Sequence, residues 1–136
     1  MLIVDTGVLV AAADRDDRYY TAAVELLASE SGPLVTTAMV IAEAAYLLDR
    51  ELGPAAEASL YESILDGELR VETLETADWR RIRHLVETYA DLRLGGTDAS
   101  LVAIAERLAA TRMATFNHRH FRVVRPAHCD AFELVP

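Results

Sequence analysis

The sequence predicts an α/β sandwich with a mostly parallel sheet. Short apolar runs alternate with longer segments of helical spacing, and Gly, Pro and Thr stand at the boundaries. Of the 136 residues, 52% are hydrophobic, which is enough for a real core. Repeated strand–helix units favour parallel strands because each helix crosses over to the next strand. We expect residues 1–136 to form one domain.

The first half of the chain predicts two strands and four helices. Apolar runs at 2–4 and 34–36 are typical of buried strands, and the first ends at Asp5. Residues 8–13 and 20–29 have helical spacing, and Thr37 is expected to cap a helix that runs to about residue 51. Gly53 closes that helix, and Pro54 suits the first turn of the next one.

The second half continues the alternation. Residues 69–74 predict a third strand, 113–115 a fourth and 132–134 a fifth. Helices are expected after caps at Thr76 and Thr97, with Trp79 packed in the core. The polar residues 117–120 are expected to form a loop.

Composition and charge exclude several classes of protein. All 13 basic residues are Arg, so mechanisms that need a lysine are excluded. The net charge of −9 argues against general affinity for nucleic acid through bulk charge. The lone Cys129 excludes an internal disulfide. No basic leader precedes the apolar start, and no apolar stretch approaches membrane length, so we expect a cytoplasmic protein.

Four polar positions predict a functional site. Asp5 and Asn117 follow strands, Asp98 begins a helix and Glu43 lies two turns into one. Because ligands of parallel sheets bind at the carboxyl ends of strands, one pocket can collect all four side chains. Three carboxylates about 5 Å apart repel each other by about 3 kcal/mol per pair, and a hard divalent cation relieves that repulsion.

The chain resembles the PIN-domain nucleases, and among them the VapC-type toxins of bacterial toxin–antitoxin pairs. The resemblance lies in residues 5–9 (DTGVL), Glu43 in a helix after 35–37 (VTT), residues 96–103 (GTDASLVA) and residues 114–121 (ATFNHRHF). These segments occur in family order at similar spacings over essentially the whole chain.

The resemblance implies a three-layer α/β/α sandwich and an endoribonuclease that uses Mg²⁺, with Mn²⁺ as a substitute. Asp5, Glu43 and Asp98 would then be metal ligands, and Thr6 and Thr115 would support them with their hydroxyls. It also implies an RNA substrate, a homodimer and inhibition by a cognate VapB-type antitoxin.

Asn117 departs from the family pattern, which often has Asp at this position. An amide still offers an oxygen and can orient water, but it carries no charge. We therefore expect one well-held ion, with a second only when an RNA phosphate contributes.

Other residues are weaker candidates. His118 and His120 are expected in a loop near the substrate, and Arg119 and His118 are candidates for RNA contact. Tyr19, Tyr20, Tyr46 and Tyr61 suit a dimer or antitoxin surface, or else core packing.

Two other functions remain open. A degenerate PIN fold kept for protein contacts would explain Asn117, whereas Asp5 and Asp98 argue against it. A housekeeping PIN nuclease would share the chemistry without being a toxin. An aspartic protease, suggested by residues 5–7 (DTG), conflicts with the Ala- and Leu-rich helices.

Overall fold

Five parallel strands form one sheet. The computed structural model describes every residue from Met1 to Pro136. The strands are β1 (Leu2–Val4), β2 (Leu34–Thr37), β3 (Leu69–Glu72), β4 (Arg112–Ala114) and β5 (Glu133–Val135). Their order is β3-β2-β1-β4-β5, and every neighbouring pair is parallel. The predicted sheet is confirmed and proves to be entirely parallel.

Seven helices connect the strands. They are α1 (Thr6–Ala13), α2 (Tyr20–Ser29), α3 (Ala38–Leu52), α4 (Pro54–Leu65), α5 (Thr76–Thr88), α6 (Gly96–Arg107) and α7 (His118–Val123). Thr37 caps α3 as predicted, since its side chain accepts a hydrogen bond from the Val40 amide. No helix has both the length and the apolar character that a membrane crossing requires.

The alternation of side chains along the strands divides the core into two layers. Ile3, Val35 and Met113 point to one side and pack with α5 and α6. Leu2, Val4 and Ala114 point to the other side and pack with α1 and α2. Leu34 contacts both this second cluster and the cluster between α3 and α4. The arrangement is the three-layer α/β/α sandwich that the resemblance implied.

The structure corrects two local predictions. Residues 118–123 form the short helix α7 instead of a loop, because Phe121 anchors them in the core at 1% exposure. Trp79 is 51% exposed, since the buried stripe of α5 runs through Asp78, Ile82 and Leu85.

Two predicted helix caps also differ. The cap of α5 is Glu75, which forms a reciprocal capping box with Asp78, and Thr76 is the first helical residue. The cap of α6 is Gly95, so Thr97 lies inside the first turn. Each predicted cap lies within two residues of the observed one, as expected for helix boundaries.

Candidate active site

Asp5 lies where β1 gives way to α1, and both of its carboxylate oxygens are held. Oδ1 accepts a hydrogen bond from the Thr6 amide at 2.7 Å, and Oδ2 accepts one from Thr115 Oγ1, also at 2.7 Å. The backbone amide of Asp5 donates to Ala114 O at 3.0 Å, which ties this turn to β4. Asp5 is only 6% exposed. Its carboxylate is therefore fixed in position, with one lone pair on each oxygen left for a ligand.

Glu43 approaches Asp5 from α3. The hydroxyl of Thr6 donates to Glu43 Oε2 at 3.3 Å, and no hydrogen bond engages Oε1. Thr6 is thus shared between two acids, because its amide holds Asp5 and its hydroxyl contacts Glu43. Glu43 itself is exposed, so its free oxygen faces solvent.

A chain of hydroxyls joins the helices that carry Glu43 and Asp98. Ser100 Oγ donates to Thr97 O at 2.7 Å, and Thr37 Oγ1 lies 2.8 Å from Ser100 Oγ. Since Ser100 has one proton to donate, Thr37 is the donor between the two hydroxyls. Thr37 and Ser100 are fully buried, so the start of α3 is fixed against the start of α6.

Asp98 lies in the first turn of α6 and contacts a residue of α7. His120 Nδ1 lies 2.6 Å from Asp98 Oδ2. A carboxylate can only accept, so the imidazole nitrogen is the donor and the proton sits on Nδ1. No hydrogen bond engages Asp98 Oδ1. His120 therefore orients Asp98 from behind while one oxygen stays available.

Asn117 completes the edge of the sheet. Its backbone amide donates to Thr115 Oγ1 at 2.9 Å, and Thr115 donates in turn to Asp5. Its side-chain nitrogen lies 3.1 Å from His120 Nδ1. Asn117 is exposed and contributes an uncharged amide beside the acids.

All four predicted side chains line one cavity, which we call the acidic cavity. Its volume is about 430 Å³, and its lining residues are Asp5, Thr6, Gly7, Arg18, Tyr19, Glu43, Leu47, Asp98, Phe116 and Asn117. Thr115 lies beneath it, fully buried against Asp5. A larger cavity of about 690 Å³ lies between α1, α2 and α4, but half of its lining is apolar and it contains none of these acids.

The acidic cavity disfavours ionisation of its most buried acid. The pKa of Asp5 is raised to about 6, chiefly by burial and to a smaller extent by the nearby carboxylates of Asp98 and Glu43. Hydrogen bonds from Thr115 and Thr6 lower this pKa without reversing the shift. The three acids therefore lie close enough to repel each other, and a bound cation would reduce that cost.

The donor set fits a hard divalent cation. Three carboxylates and one amide offer oxygen atoms, which are the ligands that Mg²⁺ and Mn²⁺ prefer in proteins. No group of three or more His, Cys, Asp or Glu side chains is already arranged to hold a metal ion. Magnesium commonly takes one or two carboxylates directly and keeps several waters, which suits acids spread around a cavity.

Two predicted RNA contacts lie outside the acidic cavity. Arg119 is exposed on α7, and His118 lies beside Arg122, with 3.4 Å between His118 Nδ1 and Arg122 Nη2. Neither residue lines the acidic cavity, and its one cationic residue is instead Arg18. Sequence reasoning missed Arg18, Phe116 and the contact of His120 with Asp98. The sequence signal for Arg18 was its position next to Tyr19 in a polar loop, since a basic and an aromatic residue side by side are typical of nucleic-acid contacts.

Fold and site together define a class: an α/β protein whose parallel sheet carries an acidic, oxygen-lined cavity at its carboxyl edge. A family model described as the PIN domain matches residues 2–126. The chain therefore belongs to the PIN-domain family.

A relative of similar length agrees with this assignment. The chain is 29% identical over 135 residues to Ribonuclease VapC26 of Mycobacterium tuberculosis (strain ATCC 25618 / H37Rv), a match that covers 99% of this chain and 100% of that protein.

Solved structures share the fold. Mycobacterium tuberculosis VapC20, described as a sarcin-ricin loop cleaving toxin, superposes with a TM-score of 0.78 and 21% identity, over 83% of this chain and 87% of that one. VapBC2 from Rickettsia felis, bound to a promoter DNA fragment, superposes with a TM-score of 0.68 and 19% sequence identity. That match covers 99% of this chain and 98% of the other. FitAcB from Neisseria gonorrhoeae superposes with a TM-score of 0.63 and 17% sequence identity, over 89% of this chain and 91% of the other.

Proposed function

We propose that this chain is a metal-dependent endoribonuclease that hydrolyses RNA phosphodiesters, and that it acts as the toxin of a toxin–antitoxin pair. The observation that supports the chemistry is the meeting of Asp5, Glu43 and Asp98 in one cavity, where no Arg pairs with any of them. A carboxylate cluster without Arg partners suits a site that binds a cation from solution. The relative named as a ribonuclease, similar over its full length, supports RNA as the substrate.

Mg²⁺, or Mn²⁺ as a substitute, would be held by Asp5, Glu43 and Asp98. When bound it would stabilise the negative charge that develops on the phosphate and acidify the attacking water. The carboxylates present free lone pairs for this, because Thr6, Thr115 and His120 occupy only part of their acceptor capacity.

The residues of the chain prepare the reaction in distinct ways. Thr6 and Thr115 fix the orientation of the Asp5 carboxylate, and the rigid link between Thr37 and Ser100 fixes Glu43 relative to Asp98. Glu43 Oε1 is free and solvent-facing, so it is placed to accept a proton from the attacking water. Asn117 orients that water through its amide and adds no charge.

Toxin function, with a VapB-type antitoxin as inhibitor, is supported by the likeness to VapC26 and by the VapBC2 structure. Such a pair would act in the cytoplasm, where its RNA is found. A homodimer is supported by large exposed side chains on α3 and α4, namely Tyr46, Leu52, Tyr61 and Leu65. Residues 1–136 would act together as one PIN domain.

A cleavage assay tests the proposal. Antitoxin-free protein is incubated with a pool of structured RNA in Mg²⁺, in Mn²⁺ and in EDTA, alongside Asp5→Asn. We expect cleavage in both metals and none in EDTA or with Asp5→Asn. Metal binding without cleavage of the pool would indicate a narrow choice of RNA.

Loss of both cleavage and metal binding would overturn the nuclease and favour a PIN fold that serves only as a protein-binding module. Metal-dependent cleavage by a protein whose expression does not arrest growth would instead favour a housekeeping nuclease.

A further inference from the structure

Three side chains form a stack on the wall of the acidic cavity. The rings of Tyr19 and Phe116 are parallel to within 11°, with centroids 4.2 Å apart. The guanidinium carbon of Arg18 lies 4.5 Å from the centroid of the Tyr19 ring. Two groups so close to one ring cannot share a face, so Tyr19 lies between Phe116 and Arg18. All three residues line the same cavity as the catalytic acids.

The stack is built on an ordered support. Phe116 follows Thr115 directly and packs against the apolar cluster of β1, α1 and α2. Tyr19 precedes α2, where the Asp17 side chain accepts a hydrogen bond from its amide at 2.7 Å. The carbonyl of Tyr19 accepts a hydrogen bond from Ala23 N at 2.9 Å. The inner part of the stack is thus anchored in the core, and its outer part stands in solvent.

The behaviour of Arg18 argues against a purely structural role. Arg18 is exposed and lines a cavity with three carboxylates, yet it forms no ion pair within 4.0 Å of any of them. It lies over an aromatic face instead, where its charge is held only weakly. The arrangement keeps a cation at the wall of the cavity without neutralising the acids.

We propose that the outer face of Tyr19 receives an unpaired nucleobase next to the phosphate that is cleaved. This inference rests on the proposed function and assigns two substrate-positioning residues of the same site, Tyr19 and Arg18. The base replaces the Arg18 guanidinium, and Arg18 then pairs with the phosphate of that nucleotide. Stacking of a base on an exposed aromatic ring is stronger than an exposed cation–π contact, so this exchange is favourable.

Size and charge agree with this occupant. A volume of about 430 Å³ lies within the range of small-molecule sites, about 300–1,000 Å³. A chain of net charge −9 repels RNA at long range, so local contacts such as stacking on Tyr19 and the charge of Arg18 have to offset that repulsion. Stacking tolerates any base but requires it to be unpaired, so duplex RNA is excluded.

Fluorescence of a stacked base tests the proposal independently of cleavage. The probe is a short single-stranded, uridine-rich RNA with one 2-aminopurine, titrated with the protein in Ca²⁺, and the same RNA in a duplex is the comparison. We expect quenching with the wild type and with Tyr19→Phe, which keeps the ring. Tyr19→Leu covers Phe116 with an apolar side chain but cannot stack, and should bind about 5- to 100-fold more weakly. Trp79→Leu removes an exposed aromatic ring on α5, outside the acidic cavity, and should bind like the wild type.

A second variant keeps the test decisive if Tyr19→Leu proves unstable in thermal melting. Arg18→Gln removes one phosphate contact, so the slope of log affinity against log salt should fall by about 0.7. Equal binding by Tyr19→Leu and the wild type, or an unchanged salt slope with Arg18→Gln, would overturn the proposal. The proposal would also be overturned if Tyr19→Leu bound a cognate antitoxin peptide more weakly than the wild type but bound RNA equally well. The stack would then be a protein-binding surface.

The same variants separate this inference from the nuclease proposal. In Mg²⁺, Tyr19→Leu should raise KM for single-stranded RNA and leave kcat nearly unchanged. Cleavage with an unaltered KM would refute the stack and keep the nuclease. Quenching that depends on Tyr19, in a protein that never cleaves RNA, would keep the stack and refute the nuclease.

Discussion

Two groups of acids in this molecule have opposite arrangements. In the first, which we call the Arg107 cluster, Asp78 is 3% exposed and Arg107 Nε lies 3.0 Å from its Oδ2. Arg107 also binds Glu72 at 3.0 Å and donates to Thr73 O at 3.0 Å. In the acidic cavity, Asp5 is almost as buried at 6% exposure, but its partners are the Thr115 hydroxyl and the Thr6 backbone amide.

The difference shows what each group is for. In the Arg107 cluster the charge of the acids is compensated within the protein. The ion pairs of Arg107 also join β3, α5 and α6. Asp5 is held only by neutral donors, so its negative charge stays available to a ligand. Its raised pKa reflects the free-energy cost of burying that charge. A buried carboxylate without a cationic partner is thus the signature of a site that expects a ligand.

The largest expected effect is on catalysis. Asp98→Asn should lower the cleavage rate by about a hundredfold or more, because a ligand of the ion loses its charge. The melting temperature should change little, since Asn retains the size of Asp. Asp49→Asn, an exposed acid on α3 outside the acidic cavity, is the matched control and should cleave normally. Normal cleavage by Asp98→Asn would show that the site is assigned wrongly.

The Arg107 cluster should respond in the opposite way. Arg107→Ala leaves Asp78 buried without compensation and should destabilise the fold by about 3 kcal/mol in urea unfolding. Cleavage per folded molecule should not change. The control is Arg83→Ala, which breaks an exposed pair with Glu87 and should cost at most about 0.5 kcal/mol. Equal losses in both variants would refute the structural role given to this cluster.

The raised pKa of Asp5 predicts a dependence of stability on pH. Between about pH 4 and pH 6 Asp5 is protonated to a greater extent in the folded protein than in the unfolded chain, so its contribution to stability falls as pH rises through that window. Without metal, Asp5→Asn should therefore be about 1–3 kcal/mol more stable than the wild type at pH 7, and no more stable below pH 4. Thermal melts in EDTA across pH 4–8 measure this, and a constant difference would contradict it.

The smallest effect should come from the residue behind Asp98. His120→Ala removes the donor that holds Oδ2 and should weaken Mn²⁺ affinity by about tenfold. His120→Asn offers an amide N–H to the same oxygen and should recover part of that affinity. If Ala and Asn at this position bind Mn²⁺ equally, the hydrogen bond does not position Asp98.

Local patterns were enough to predict the sheet and the positions of its acids. Asp5 follows an apolar run and Asn117 follows another, and parallel topology brings such ends to one edge. The stack of Tyr19 on Phe116 could not be predicted, because it joins two loops that are distant in sequence. The same holds for the contact between His120 and Asp98, which depends on how α7 packs. Asn117 was identified as a ligand candidate, and its part in the site stays a prediction.

The most direct test is a calorimetric titration of the wild type with Mn²⁺ at neutral pH. It measures whether the acids of the acidic cavity hold a divalent cation. We predict one well-defined site in the wild type and in Asp49→Asn, and at least tenfold weaker binding in Asp98→Asn. Equal affinity in all three proteins, or heat with none of them, would contradict the account.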